Sequence, residues 1–203
     1  MHLDNHTEWR NGYELRTGMN LTKERVVQRF QIYPGDPQKP GDPGVFVEPG
    51  TYSNQEVQLE FNTNRAARLS LESTMFAGGF FGGSRVSISP AVKLRKGDTF
   101  AAEVHWSRND VHLPGGGFRT NLIRTRLSYS FTPRLFVQSL VQYNDRDNIW
   151  SMNFRFAWLQ AANTGIFVVY DDSRDIFDAR HVDRGLPDRS LTIKISHLFD
   201  LLN

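Results

Sequence analysis

Polar and apolar residues alternate through most of this chain, and this period of two constrains its fold more than any other feature. In residues 120–145, "TNLIRTRLSYSFTPRLFVQSLVQYND", Arg, Gln and Ser lie one position away from Leu, Val, Phe and Tyr. Successive side chains of a β-strand point to opposite faces, so the pattern predicts strands with one apolar and one polar face. The alternation predicts about eleven such strands between Glu8 and Phe199, counting a weaker one at Val26 to Tyr33, and no segment shows a helical period.

The connections between the predicted strands are of two kinds. Short turns are predicted at Thr22, Asn62, Arg95, Phe131 and Gln160, and mostly longer loops begin at Pro34, Gly78, Asn109, Asn144 and Asp171. Each strand is close to the about 9–11 residues that cross a bilayer at a tilt. Short turns at one end and long loops at the other are typical of outer-membrane barrels, which have their short turns in the periplasm.

Charged residues recur on the polar face of these strands. Such charges would be costly in a dry core, whereas the water-filled interior of a barrel accommodates them while the apolar face meets lipid. We predict that the following residues line this lumen: Arg68, Arg124, Arg126, Arg155, Glu56, Glu60 and Glu72.

Aromatic residues lie near the ends of the predicted strands, on the apolar face. Aromatic girdles at the two membrane interfaces are a feature of outer-membrane barrels. The predicted interface residues are Trp9, Tyr13, Phe131, Tyr143, Trp150, Trp158, Tyr170 and Phe199. The alternative that stays open is a soluble sugar-binding β-sandwich, whose polar faces meet bulk water over a shared core.

The fold class predicted is therefore all-β: an antiparallel transmembrane β-barrel of the outer-membrane type, or the C-terminal part of one. Residues 1–203 are predicted to form a single barrel domain. If the short turns are periplasmic, an odd strand count starts the chain on the outer side, whereas bacterial single-chain barrels have an even number of strands. We therefore expect further strands ahead of Met1, in a longer protein of which this is the C-terminal fragment. Without them, the first and last strands pair in parallel or stay open.

Composition excludes several classes of protein. The chain has no cysteine, so it contains neither disulfides nor thiolate metal sites. The net charge of +2 is the difference between 24 basic and 22 acidic residues, which argues against a nucleic-acid partner. We predict no cofactor and no metal, because the loop acids follow the spacing of no standard calcium loop. These acids are Asp171, Asp172, Asp175 and Asp178.

One trio of polar residues resembles the parts of a hydrolase. Glu103, His105 and Ser107 share the polar face of one predicted strand. Residues two apart on a strand lie about 7 Å from each other, which is too far for a Ser–His hydrogen bond. We therefore treat the three as weak catalytic candidates and predict no catalytic activity, with an outer-membrane hydrolase acting on carbohydrate or lipid as the alternative.

Several separated motifs agree in order with one known family. They are "HTEWRNGYELRTGMNLTKE", "VEPGTY", "AGGFFGGSR", "NLIRTRLSYSFTPRLFVQSLVQYNDRDNIWSMNFRFAWL", "NTGIFVVYDDSRD" and "RSLTIKISHLFD". The chain resembles a domain-of-unknown-function family of Gram-negative bacteria, whose members are similar to outer-membrane barrels and usually follow an N-terminal domain similar to carbohydrate-binding module family 9. The resemblance covers nearly the whole chain and implies architecture, with no established reaction.

The predicted function combines these observations. We expect an outer-membrane β-barrel that acts as a membrane anchor and porin-like solute channel in a carbohydrate-related system. Its implied partners are outer-membrane lipid, the barrel assembly machinery, the upstream strands and the carbohydrate-binding domain. The arginines of the predicted lumen favour anions as the solute.

Overall fold

In the computed structural model, which describes residues 1–36, 39, 41–161, 164–175 and 188–197, all regular structure is β-strand. The strands are β1 His2–Glu8, β2 Glu14–Val26, β3 Phe30–Tyr33, β4 Val45–Val47, β5 Gly50–Asn62, β6 Leu69–Phe80, β7 Gly83–Lys96, β8 Phe100–Leu113, β9 Gly116–Thr132, β10 Leu135–Asn144, β11 Ile149–Ala161, β12 Thr164–Asp175 and β13 Asp188–Ser196. No helix in the described residues is long and apolar enough to cross a membrane.

Eleven of the strands form one antiparallel sheet in the order β1-β2-β5-β6-β7-β8-β9-β10-β11-β12-β13, and β3 and β4 form a second, two-stranded sheet. This confirms the predicted all-β antiparallel fold. Because each strand of the large sheet is antiparallel to its neighbour, β1 and β13 run in the same direction. They are its two edges, and they do not pair with each other within the described ranges.

The register gives the large sheet one polar and one apolar face, as the alternation predicts. Across β8 and β9, Glu103 lies opposite Arg126 on the polar face, and the next pair, Ala102 and Leu127, lies on the apolar face. The apolar face carries no second layer among the described residues, and its large side chains are exposed. Examples are Val57, Leu59, Val86, Val92, Leu94, Val104, Ile123, Leu127, Trp158, Ile193 and Ile195.

The N-terminal part of the chain differs from the prediction. Instead of one strand from Glu8 to Leu21, β1 and β2 form a hairpin that reverses at Trp9–Tyr13, where Gly12 adopts a φ of 80° and its N–H donates to the Trp9 carbonyl. The short turn predicted at Thr22 is wrong, because this residue lies within β2, paired with Asn54. The eleven strands of the large sheet thus include β1, which the alternation missed.

The strand predicted at Val26 to Tyr33 is shorter and lies in a different sheet. Its ordered part is β3, which pairs with β4 in the connection between β2 and β5. Val26 itself ends β2, where it pairs with Gly50. Of the residues in this predicted strand, only Val26 therefore belongs to the large sheet.

Two of the predicted long loops are tight turns. The connection between β6 and β7 consists of Phe81 and Gly82, with φ of 46° and 79°, and such positive values suit a two-residue hairpin turn. The connection between β8 and β9 consists of Pro114 and Gly115. The glycine runs that suggested loops at Gly78 and Asn109 instead lie mostly within the strands, at the ends where β6 turns into β7 and β8 turns into β9.

Candidate functional site

The polar face of β5, β6 and β7 carries ion pairs between strands, one of which joins β7 to β5 across Gly78 of β6. Arg85 lies 2.5 Å from Glu56, and Lys93 lies 3.0 Å from Glu72. Glu60 is 3.9 Å from Arg16 on β2. The carboxylates predicted to line a lumen are thus each matched by a basic residue, which is how charges are tolerated where they are partly removed from water.

A basic stripe follows on the polar face of β7 to β11. We define the basic stripe as Lys93, Arg95, Arg124, Arg126 and Arg155. Two depressions of about 260 and 270 Å³ lie along it, and both have Arg126 in their walls. Among the described residues, neither Arg124 nor Arg126 forms an ion pair, although Glu103 lies opposite Arg126, and basic residues outnumber acidic ones on this part of the face.

Six of the seven predicted lumen residues lie on the polar face of a strand, and Arg68 does not. Arg68 is an exposed residue of the connection that precedes β6, and its carbonyl accepts a hydrogen bond of 2.7 Å from the Arg95 N–H. The alternation of polar and apolar residues included Arg68 in a strand, whereas β6 begins at the next residue, Leu69.

The structure does not assemble the hydrolase trio. Ser107 receives a hydrogen bond of 3.1 Å from the hydroxyl of Ser89 on β7, and the buried Nδ1 of His105 has no hydrogen-bond partner in the described part of the chain. His105 lies opposite Arg124 rather than near a second catalytic group, while Glu103 lies opposite Arg126. No contact therefore activates the Ser107 hydroxyl as a nucleophile.

The acidic residues of β12 point to opposite faces and do not converge on one point. Asp171 accepts a hydrogen bond of 2.5 Å from Asn153 on the polar face, and Asp172 is held by arginines on the apolar face. Within the residues described, no group of three acidic or histidine side chains is placed to hold a metal ion. Asp178 and the side chain of Asp175 lie outside that part of the chain.

The predicted interface aromatics form two rows on the apolar face. Trp150 and Trp158 occupy the two ends of β11, eight positions apart and thus about 26 Å along the strand. Tyr143 lies at the Trp150 end, and Phe131 lies toward the other, beside Tyr129 at 4.7 Å between ring centroids, whereas Tyr170 pairs with Phe154 midway between the two rows. Trp9 and Tyr13 flank the β1–β2 turn rather than a strand centre, and Phe199 lies outside the described residues.

The β3–β4 hairpin is the feature of the polar face that the sequence did not reveal. Tyr33, Val45 and Val47 of the hairpin are buried against Val111 and Leu113 of β8, and these five form the buried hydrophobic cluster of the described chain. Val111 is on the polar face, because it pairs with Arg85 and lies two positions from Asn109. The hairpin therefore folds over the polar face at the end of the sheet where the β2–β5 connection lies.

Aromatic contacts hold the hairpin in this position. The Tyr33 ring stacks on Phe118 of β9, with centroids 4.7 Å apart and the ring planes parallel. Phe30 meets Phe81 of the β6–β7 turn edge to face at 5.9 Å, and Phe81 also contacts Tyr52 of β5 at 5.5 Å. The hairpin thus spans the ends of β5 to β9 and leaves beneath it a cavity of about 330 Å³. Its walls include Ile32, Phe80, Arg85, Asn109, Thr120, Asn144 and Arg146.

The phenol of Tyr33 titrates unusually late. Burial, followed by the nearby carboxylates of Asp36, Asp145 and Asp42, raises the pKa of Tyr33 above its ordinary value, because the charged phenolate is disfavoured there. A raised folded-state pKa means that docking of the hairpin is at full strength below about pH 10, the ordinary tyrosine pKa, and weakens as pH rises through the raised value.

We expect one of the six tyrosines to ionise after the others in an alkaline titration followed by tyrosinate absorbance. Tyr33→Phe should remove this late transition and leave the others in place. If the late transition persists in Tyr33→Phe, the assignment to this buried phenol is wrong.

The described chain is an all-β protein built on one large antiparallel sheet with a charged face, an uncovered apolar face and a hairpin packed over the charged one. No protein-family model, curated protein or solved structure matches it.

Proposed function

We propose that this chain forms an outer-membrane β-barrel wall, which anchors the protein in the lipid bilayer and lets small anionic solutes pass along its polar face. The observation that supports the proposal is that one sheet has an apolar face on one side and a charged face on the other. The apolar face exposes large aliphatic side chains between two rows of aromatics, and the polar face holds the ion pairs and the basic stripe.

Lipid is the medium that suits the apolar face. A soluble sheet of this kind stabilises itself by packing its apolar face against another layer. Leu127, for example, is 43% exposed and Ile193 is 60% exposed, although both lie within paired strands. A contiguous exposed apolar surface of this extent is unusual in a monomeric soluble protein and marks a site of membrane or protein contact.

The basic stripe determines the kind of solute. Arg124 and Arg126 lie side by side on β9, two positions apart and on the same face, and neither forms an ion pair in the described residues, although Glu103 of β8 lies opposite Arg126. Rings and rows of uncompensated arginine favour anions in a pore. The β3–β4 hairpin narrows the passage along the polar face at one end of the sheet and leaves the cavity beneath it open.

Antiparallel closure of the sheet needs strands beyond the 11 described here. Because β1 and β13 run in the same direction, antiparallel pairing across the gap needs one further strand, or another odd number, running the opposite way. The Gram-negative location, the assembly machinery and the link to carbohydrate rest on the family resemblance and stay predictions.

Anion flux tests the passage. In liposomes containing the purified protein, we expect chloride to cross faster than potassium, and Arg124→Gln with Arg126→Gln to reduce or abolish this preference. The matched control replaces Arg10 and Lys96 with glutamine, which removes the same charge at the turns and leaves the basic stripe intact. Vesicles that stay sealed to both ions would contradict the passage, and an unchanged preference in the Arg124 and Arg126 variant would contradict the role of the stripe.

A further inference from the structure

We propose that two Arg–Asp–Arg clusters on the apolar face bind the phosphate groups of a lipid headgroup. This inference rests on the proposed function, since it takes the apolar face to be the lipid-contacting one. The first cluster, named the β8–β9 triad, is Arg108, Asp110 and Arg119, and the second, named the β12–β13 triad, is Arg174, Asp172 and Arg189.

The two triads have the same construction. In each, an aspartate binds an arginine two positions away on its own strand and a second arginine directly opposite on the next strand. Asp110 lies 2.8 Å from Arg108 and 2.5 Å from Arg119. Asp172 lies 2.5 Å from Arg174 and 3.5 Å from Arg189. Each triad therefore has two positive charges and one negative charge.

Both triads begin where the apolar band ends. Along β8 the outward residues run Val104, Trp106, Arg108, Asp110, and along β12 they run Val168, Tyr170, Asp172, Arg174. The order in each strand is aliphatic, aromatic, charged. A membrane protein shows this order from the hydrocarbon core through the interface to the headgroups. The triads are thus located at headgroup level, at the end of the sheet that carries the β3–β4 hairpin.

The same end of β2 has the same character. Its outward face turns from Leu21 to Lys23 and then Arg25, both of which are exposed. With the triads, two pairs of strands and β2 therefore present basic groups at this level. A belt of positive charge beside an apolar band is complementary to a molecule that combines phosphate with acyl chains.

The aspartates make the arginines suitable for phosphate. Asp172 is only 3% exposed and also accepts a hydrogen bond of 3.2 Å from the Tyr170 hydroxyl, so it is a fixed anchor for the arginines. Arg119, Arg174 and Arg189 are each about half exposed, and they use only part of their donor groups on the aspartate. A guanidinium held in a fixed orientation presents its remaining N–H groups to phosphate as a fork.

Aromatic contacts extend the same site toward the acyl chains. The Arg174 guanidinium lies 5.8 Å from the centre of the Trp150 ring, and the Trp106 indole donates a hydrogen bond of 3.2 Å to Asn121. The Trp106 indole therefore has its polar edge engaged, and both indole rings lie next to the triads. A phosphate on the guanidinium groups places the attached chains against the apolar band below.

The test measures lipid binding by the purified protein in detergent micelles. The probe is lipid A, a glucosamine lipid with two phosphates, and native mass spectrometry counts the molecules bound. We expect the wild type to bind lipid A, and Arg108→Gln with Arg119→Gln, or Arg174→Gln with Arg189→Gln, each to weaken binding at least tenfold at one site. The control is the Arg10→Gln and Lys96→Gln variant, which should bind as the wild type does.

Two further probes separate the outcomes. Lipid A from which both phosphates have been removed should bind at least tenfold more weakly, and inorganic phosphate should compete only at far higher concentration than lipid A. Binding unaffected by loss of the arginines or of the phosphates would overturn the inference, as would inorganic phosphate binding as tightly as lipid A. Because micelles supply the lipid directly, the result is independent of whether the vesicles in the flux experiment conduct ions.

Discussion

Replacing Leu127 with arginine will prevent the protein from assembling in a lipid bilayer, whereas the same replacement at the adjacent Ser128 will leave assembly intact. Leu127 is near the centre of β9 on the apolar face and is 43% exposed, while Ser128 lies on the polar face opposite Ala101. An arginine facing lipid at the middle of the bilayer costs about 2–4 kcal/mol. At Ser128 the same side chain joins a face that already holds arginines.

The measurement is the fraction of folded protein recovered after refolding into lipid vesicles, read from the difference in gel mobility between unboiled and boiled samples. The two variants have equal charge, and their substitutions lie one position apart on the same strand. Equal recovery of both variants would contradict a lipid-facing role for this face. Loss of both would mean that this part of β9 accepts an additional arginine on neither face, and would contradict the difference proposed between the two faces.

Undocking the β3–β4 hairpin will increase ion conductance several-fold. Val47 is 2% exposed within the hairpin cluster, and Val47→Asp would place a carboxylate against the side chains of Val111 and Leu113. Burying an unpaired carboxylate costs several kcal/mol, so the hairpin should leave its position rather than keep the charge buried. The polar face beneath it then opens to solvent at this end.

Single-channel recording in planar bilayers measures this change. The control is Val27→Asp, the same substitution in the same connection at a residue that is 75% exposed. A cysteine at Val111 reports undocking independently, because it should react with a water-soluble thiol reagent only after the hairpin has moved. If Val111→Cys becomes reactive in the Val47→Asp background while conductance stays constant, the hairpin does not restrict the passage.

The alternation in the sequence was sufficient to predict the two faces of the sheet from β5 onward. Each residue of a paired strand inherits its face from its position, so Glu103 and Arg126 could be assigned to one face before their pairing was known. The same reasoning failed at Trp9–Tyr13, because the apolar positions continue in step through the turn. The signal for the reversal is the dipeptide Asn11-Gly12, which is typical of hairpin turns and which the alternation of apolar and polar residues does not take into account.

The hairpin and the triads could not be predicted for a different reason. The contact between Tyr33 and Phe118 joins residues far apart in sequence, and nothing in the local pattern of either segment specifies the other. Val111 and Leu113 appeared to belong to a loop, although they are apolar residues on the polar face beneath the hairpin. The triads depend on cross-strand register, which places Arg119 beside Asp110 and Arg189 beside Asp172.

A cysteine scan of residues 122–129 in β9 tests whether the apolar face meets lipid, and the absence of natural cysteine makes this scan possible. Each single-cysteine variant, reconstituted in vesicles, carries a fluorophore that is exposed to a lipid-phase or a water-phase quencher. Two positions are decisive because the residue there has the opposite character to the face on which it lies. Leu122 is apolar but lies on the polar face, and Thr125 is polar but lies on the apolar face.

We expect the fluorophore at odd positions, Thr125 included, to be quenched from the lipid. At even positions, Leu122 included, it should be quenched from the water. Quenching from the water at both sets, or quenching that follows hydropathy instead of strand register, would contradict the assignment of the apolar face to lipid.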